Sequence, residues 1–143
     1  SFAQCLLRAR VRPYTGGMLQ HPTLWRILGA GLLIVIAALS LLPVRGPDLH
    51  LPNADKLHHA LAYAVLMLYF GQLTRRRALI AAALIGYGIA IELLQSQMPS
   101  RSAELVDLLA NLVGMGFGAL LLRSPAGRWL NAVDARLVGR RKL

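Results

Sequence analysis

Four apolar stretches, near residues 24–42, 57–73, 78–95 and 105–122, are separated by short polar breaks, and this pattern limits the fold more than any other feature of the chain. A helix needs about 20 residues, within a range of roughly 17–25, to cross the hydrocarbon of a bilayer. The first and third stretches meet that length on apolar residues alone, with Glu92 the single interruption in the third. The second and fourth meet it when their polar ends are counted. Backbone N–H and C=O groups in lipid must be satisfied within the segment, so each stretch is expected to be helical. With 56% hydrophobic residues and a mean hydropathy of +0.52, too little polar surface remains to cover a bundle of 143 residues in water. The expected fold is therefore all-α: one integral membrane domain over residues 1–143, built as a four-helix bundle, with basic termini at 1–23 and 123–143.

The formal net charge of +10 is distributed in a way that orients the bundle. Arg8, Arg10, Arg12, Arg26, Arg75, Arg76, Arg77, Arg123, Arg128, Arg136, Arg140, Arg141 and Lys142 fall on one side of the four segments. Arg45, Lys56 and Arg101 fall on the other. Thirteen against three predicts cytoplasmic termini and a cytoplasmic 74–77 loop, with the 43–54 and 96–103 loops facing outward. The arginines flank apolar segments instead of forming one basic face, which argues against a nucleic-acid partner. Residues 1–20 contain no continuous apolar core of the kind a signal peptide has. A single cysteine, Cys5, excludes an internal disulfide framework. After Pro125, Trp129, Leu130, Val133 and Leu137 recur at helical spacing among Arg128 and Arg136, with Arg140, Arg141 and Lys142 following. That pattern predicts a basic amphipathic helix on the anionic cytoplasmic leaflet.

The acids divide as sharply as the bases. Asp48, Asp55, Glu92, Glu104 and Asp107 all fall on the outer side, and Asp134 alone falls inside. No charged residue lies in the inner half of the second, third or fourth segment, whereas an ion path needs polar groups at successive depths. The chemistry collects at one end. Asp55 and His59 are spaced i, i+4 and share a face that Tyr63 continues; such a pair could orient an imidazole as a base, or Asp55 could simply cap the helix. Gly88, Glu92 and Gln95 share a face of the third segment, where the glycine lets a neighbouring helix approach and bury the carboxylate. Arg101 and Ser102 precede the fourth segment, at a helix start suited to an anion. Asp107, Asn111, Gly114 and Gly118 line one face of the fourth.

These residues are the candidate site: His59, Glu92 and Asp107 to handle protons, and Asp55, Lys56, Gln95, Arg101, Ser102 and Asn111 to bind a ligand. Asp55, His59, Glu92 and Asp107 are acceptable metal ligands by type. No fixed-spacing ligand motif such as HExxH is present, so no metal and no cofactor is expected. No nucleophile elbow surrounds Ser96, Ser100 or Ser102.

The combination Asp55-Lys56-x-x-His59, Glu92-x-x-Gln95, Arg101-Ser102 and Asp107-x-x-x-Asn111-x-x-Gly114 resembles the VanZ-like family, over about residues 55 to 120. Ala60 stands where that family usually has an aromatic residue, and Ser100 where it usually has glycine; neither belongs to the polar set. The resemblance implies a small multi-pass protein of the bacterial inner membrane with four to five helices. It also implies a link to the cell envelope, since the family takes its name from a member associated with low-level resistance to the glycopeptide teicoplanin.

Two readings stand. In the first, the outward site binds or processes an anionic lipid or a lipid-linked cell-envelope intermediate, such as a polyprenyl-linked glycan or cell-wall precursor, with Lys56 and Arg101 holding the anion. In the second, the chain is a non-catalytic scaffold or subunit of a larger membrane enzyme or exporter. Catalysis itself is left open by the residues.

The orientation is testable by cysteine accessibility. With Cys5 replaced, an external thiol reagent is expected to label Asp48→Cys and to leave Arg76→Cys unlabelled in intact cells; the opposite pattern contradicts the topology.

Overall fold

The computed structural model describes residues 19–42, 54–98 and 105–139. Every regular element among them is helical. Helix α1 is Pro22–Leu41, α2 is Ala54–Leu73, α3 is Arg77–Gln95, α4 is Leu105–Leu121, and α5 is Trp129–Gly139, preceded by a 3₁₀ turn at Pro125–Arg128. Pro22 opens α1 where its missing N–H costs nothing. Between α2 and α3 the chain reverses in three residues, with the Arg76 N–H donating to Thr74 Oγ1 at 3.2 Å. Ser124 caps the 3₁₀ turn, its Oγ accepting from the Ala126 N–H at 3.2 Å.

Helices occupy all four expected stretches, yet they are not equally apolar. The 20 residues of α1 and the 19 of α3 are each long and apolar enough to cross a membrane. The 17-residue α4 reaches that standard only together with the chain beyond it, across a bend of 78° at the 3₁₀ turn. Two or three helices are thus span-like by length and composition. Helix α2 falls short because Asp55, Lys56, His58 and His59 occupy its first two turns and Gln72 its last.

Beyond those polar first turns, α2 is the element its neighbours pack on. It touches α1, α3 and α4, and it buries Tyr63, Ala64, Leu66, Met67, Tyr69 and Gly71. Leu66, Met67 and Tyr63 form the core with Leu84 of α3 and Met115 of α4. A helix packed against three others presents only part of its circumference outward. On α2 that part carries Leu57, Leu61 and Val65, and its neighbours likewise leave Ile34, Leu79, Leu105 and Val113 exposed.

The tightest contact joins α2 to α4. A Cβ on Gly114 would overlap the Ala60 carbonyl, and one on Gly118 would overlap the Ala64 carbonyl. Two small residues one turn apart on each helix let the backbones touch, which is the geometry that membrane helix pairs use for van der Waals association.

The far end is closed by α5. Asp134, 2% exposed, accepts hydrogen bonds from the Trp25 indole Nε1 at 2.9 Å and from the Gln20 backbone N–H, and it meets His21 Nδ1 at 3.0 Å. Leu130 is fully buried beside Trp25 and Tyr69, and its N–H donates to Gln72 Oε1 at 3.1 Å. Part of the apolar face expected on the leaflet is therefore taken up by the protein, while Trp129 and Leu137 stay exposed.

Burial alone would raise the pKa of Asp134, but the bonds from Trp25 and Gln20, with His21, outweigh it and hold the carboxyl below its ordinary range. A carboxylate whose pKa is depressed on folding contributes stability above its unfolded value, about 3.9, and loses it as pH falls through the lower folded value. The emission of Trp25 is expected to stay constant from neutrality to about pH 4 and to shift red below it. Asp134→Asn should remove that acid transition and lower stability at neutral pH by roughly 1–3 kcal/mol. An unchanged acid transition in the variant would exclude Asp134 as its source.

Candidate functional site

The opposite end holds the polar residues. It is formed by the last turn of α1, the first turns of α2 and α4, and the last turns of α3. His59 comes from α2, Glu92 from α3 and Asp107 from α4, and one ligand atom from each lies within 4.8 Å of the other two. Glu92 is 4% and Asp107 8% exposed, and His59 is half-buried. The helical periods put them there. Gly88, Glu92 and Gln95 all lie on the buried side of α3, as do Asp107, Asn111, Gly114 and Gly118 on α4.

The imidazole is held by a neighbouring helix. His59 Nδ1 lies 3.2 Å from Asn111 Oδ1. An amide oxygen only accepts, so Nδ1 carries the proton of this bond and Nε2 keeps the lone pair in the neutral ring. The expected Asp55–His59 partnership is not formed. Asp55 is exposed and pairs with Lys56, whose Nζ lies 3.1 Å from Asp55 Oδ2. The same Nζ lies 3.3 Å from Asp107 Oδ1, so Lys56 bridges the surface to the buried carboxylate.

Gln95 joins two helices at this end. Its Nε2 donates to the Ser40 carbonyl at 2.8 Å and ties the end of α3 to the end of α1. His58 is exposed. Arg101 and Ser102 lie outside the described residues.

Tyr63 joins this group from inside. It sits one turn beyond His59, is 3% exposed, and its hydroxyl has no hydrogen-bond partner among the described residues. Its Oη and Asn111 Nδ2 flank the backbone of Gly88, at 2.8 and 3.1 Å from where a Cβ would stand. The spacing of Asp55, His59 and Tyr63 places the tyrosine on this face. Its missing partner depends on how three helices dock and has no sequence signal. Asp134 is the other residue that reasoning from sequence passes over, since a lone acid in a basic tail reads as solvated.

Chemically, two carboxyl groups, an imidazole, an amine and a buried phenol hydroxyl share one end of the bundle. Such a set can exchange protons, hold a polar head group or ligate a cation. In comparison with known proteins, no family model, no curated protein and no solved structure matches the chain.

The glycine floor of the site can be probed with its own control. Gly88→Ala would force Tyr63 and Asn111 apart and strain the His59 bond, at an expected cost of about 1–3 kcal/mol. Gly86→Ala meets nothing within 4 Å and should cost nothing. Thermal unfolding in detergent micelles checks the pair; equal melting temperatures for the two variants would contradict the close approach at Gly88.

Proposed function

We propose that this chain is a VanZ-like protein of the bacterial inner membrane that binds or processes an anionic lipid or lipid-linked cell-envelope intermediate at its outward end. Four spans with both termini cytoplasmic complete the reading, with Leu57, Leu61 and Val65 as the outward apolar stripe of α2. The observation that carries it is the buried meeting of His59, Glu92 and Asp107 beside Lys56, at the end that the basic residues avoid. Ionisable groups at membrane depth cost about 2.5–3.5 kcal/mol each on insertion scales, which is rarely retained without a use. Further support comes from the pattern Asp55-Lys56-x-x-His59, Glu92-x-x-Gln95, Arg101-Ser102 and Asp107-x-x-x-Asn111.

In this reading Arg101 supplies the planar fork for a phosphate or carboxylate, and Ser102 and the helix start beside it add donors. Lys56, already shared between Asp55 and Asp107, acts as a movable charge that follows the head group. His59, Glu92 and Asp107 are positioned for proton transfer where the ligand is processed. The second reading, a non-catalytic subunit of a larger envelope complex, is favoured by Gln95 and Asn111, whose interhelical bonds serve the bundle itself.

Native mass spectrometry of the detergent-solubilised protein separates the two. Wild type is expected to retain anionic lipid or a lipid-linked phosphate. A charge-assisted hydrogen bond is worth about 1.5–3 kcal/mol, so Arg101→Lys and Arg101→Ala should weaken retention about tenfold or more. Retention unchanged in both variants would leave the subunit reading.

A further inference from the structure

We propose that His59, Glu92 and Asp107 bind one divalent metal ion of the zinc or manganese class. The inference deepens the functional reading above, and rests on it for what the ion would meet there. Its first support is distance. The three ligand atoms come from three helices and lie within 4.8 Å of one another. Ligands about 2.1 Å from a tetrahedral ion stand roughly 3.4 Å apart, so side-chain adjustments on the order of 1 Å would close the shell.

The second support is the partner of the imidazole. A metal-bound histidine gives its other ring N–H to a carboxylate or carbonyl, which fixes the tautomer and turns the lone pair inward. Asn111 Oδ1 stands in that place, 3.2 Å from His59 Nδ1. An imidazole serving merely as a headgroup-level residue would not need a buried acceptor on another helix.

The third support is that a cation already stands there. Lys56 Nζ lies 3.3 Å from Asp107 Oδ1, and Asp55, 3.1 Å from the same nitrogen, offers an alternative partner at the surface. The ammonium can leave for Asp55 without being stranded when a dication arrives.

The fourth is the buried Tyr63 hydroxyl, 3% exposed and without a hydrogen-bond partner among the described residues, one turn inward from His59. An oxygen ligand completing a metal's coordination is the kind of acceptor or donor that such a hydroxyl lacks.

The donor set selects the ion. One nitrogen and two carboxylate oxygens are too few and too mixed for calcium, which takes six to eight oxygens, and contain no sulfur for a soft ion. Zinc and manganese suit the set. Three protein ligands leave coordination positions open, and an anionic head group can fill one. A dication held between the carboxyl groups would attract such a head group. No ligand motif announces the site, because its ligands are spread over three helices.

The experiment uses the full chain in detergent micelles, stripped with a chelator and dialysed. Zn²⁺ binding is followed by calorimetry and by elemental analysis, with Mn²⁺ as a second probe. Wild type is expected to bind one equivalent. His59→Gln, Glu92→Gln and Asp107→Asn should each lose about tenfold or more in affinity while keeping the wild-type helical circular dichroism. Lys56→Met should bind at least as tightly as wild type, since a competing cation has gone. Absence of stoichiometric uptake by folded wild type overturns the proposal. So does uptake that the three ligand variants leave unchanged, or Lys56→Met weakening as much as they do. Lipid retention on the same stripped samples separates the two levels. Arg101-dependent retention without metal uptake refutes the metal and leaves the lipid site standing. Stoichiometric metal with no retained anionic lipid refutes the lipid reading instead.

Discussion

The contact on which the polar site depends is the one between the backbones of α2 and α4. Gly114 lies against the Ala60 carbonyl and Gly118 against the Ala64 carbonyl, with no room for a side chain at either glycine. Close approach here puts Asn111, one turn from Gly114, within hydrogen-bond reach of His59, the residue before Ala60. It also brings Asp107 to the start of α2, where Lys56 meets it. Had these helices been held apart by larger residues, His59 and Asp107 would have faced each other across a gap, and each would have needed water or lipid to satisfy it. The cost of buried polar groups and the geometry of small residues are thus one design.

The two ends of the bundle use polarity differently. At the far end every prominent polar contact is closed. Asp134 is met by Trp25, Gln20 and His21, and Gln72 accepts from the Leu130 N–H. This is an arrangement that holds α5 in place. At the site end, Gln95 and Asn111 play similar bonding roles, but Tyr63 keeps an unsatisfied hydroxyl and His59 keeps a nitrogen lone pair. Unspent hydrogen-bonding capacity marks a place for a ligand more specifically than polarity does.

Much of this was legible in the sequence, for identifiable reasons. Helix positions follow from the apolar stretches and their breaks: expected segments 78–95 and 105–122 became Arg77–Gln95 and Leu105–Leu121. The faces of α3 and α4 follow from helical period, so Glu92, Gln95, Asp107 and Asn111 were recognisable as inward residues before any packing was known. What period cannot supply is register between helices. The i, i+4 pair Asp55 and His59 looked like partners because spacing is all a sequence offers. The docking of α4 gave His59 to Asn111 instead and left Asp55 to Lys56. Helix α2 showed the same limit. Its polar first turns weaken its claim to be a span by composition, yet it packs against three neighbours and turns Leu57, Leu61 and Val65 outward. Asp134 was illegible because its three partners lie more than a hundred residues away.

The central claim, that His59, Glu92 and Asp107 converge inside the bundle, is open to direct measurement in a bilayer. Magic-angle-spinning NMR can report the dipolar couplings between the ring nitrogens of His59 and the side-chain carboxyl carbons of Glu92 and Asp107. The account predicts resolved couplings from the ring to both carboxyl groups, as ligand atoms within 4.8 Å of one another require. A coupling to neither carboxyl group would contradict it.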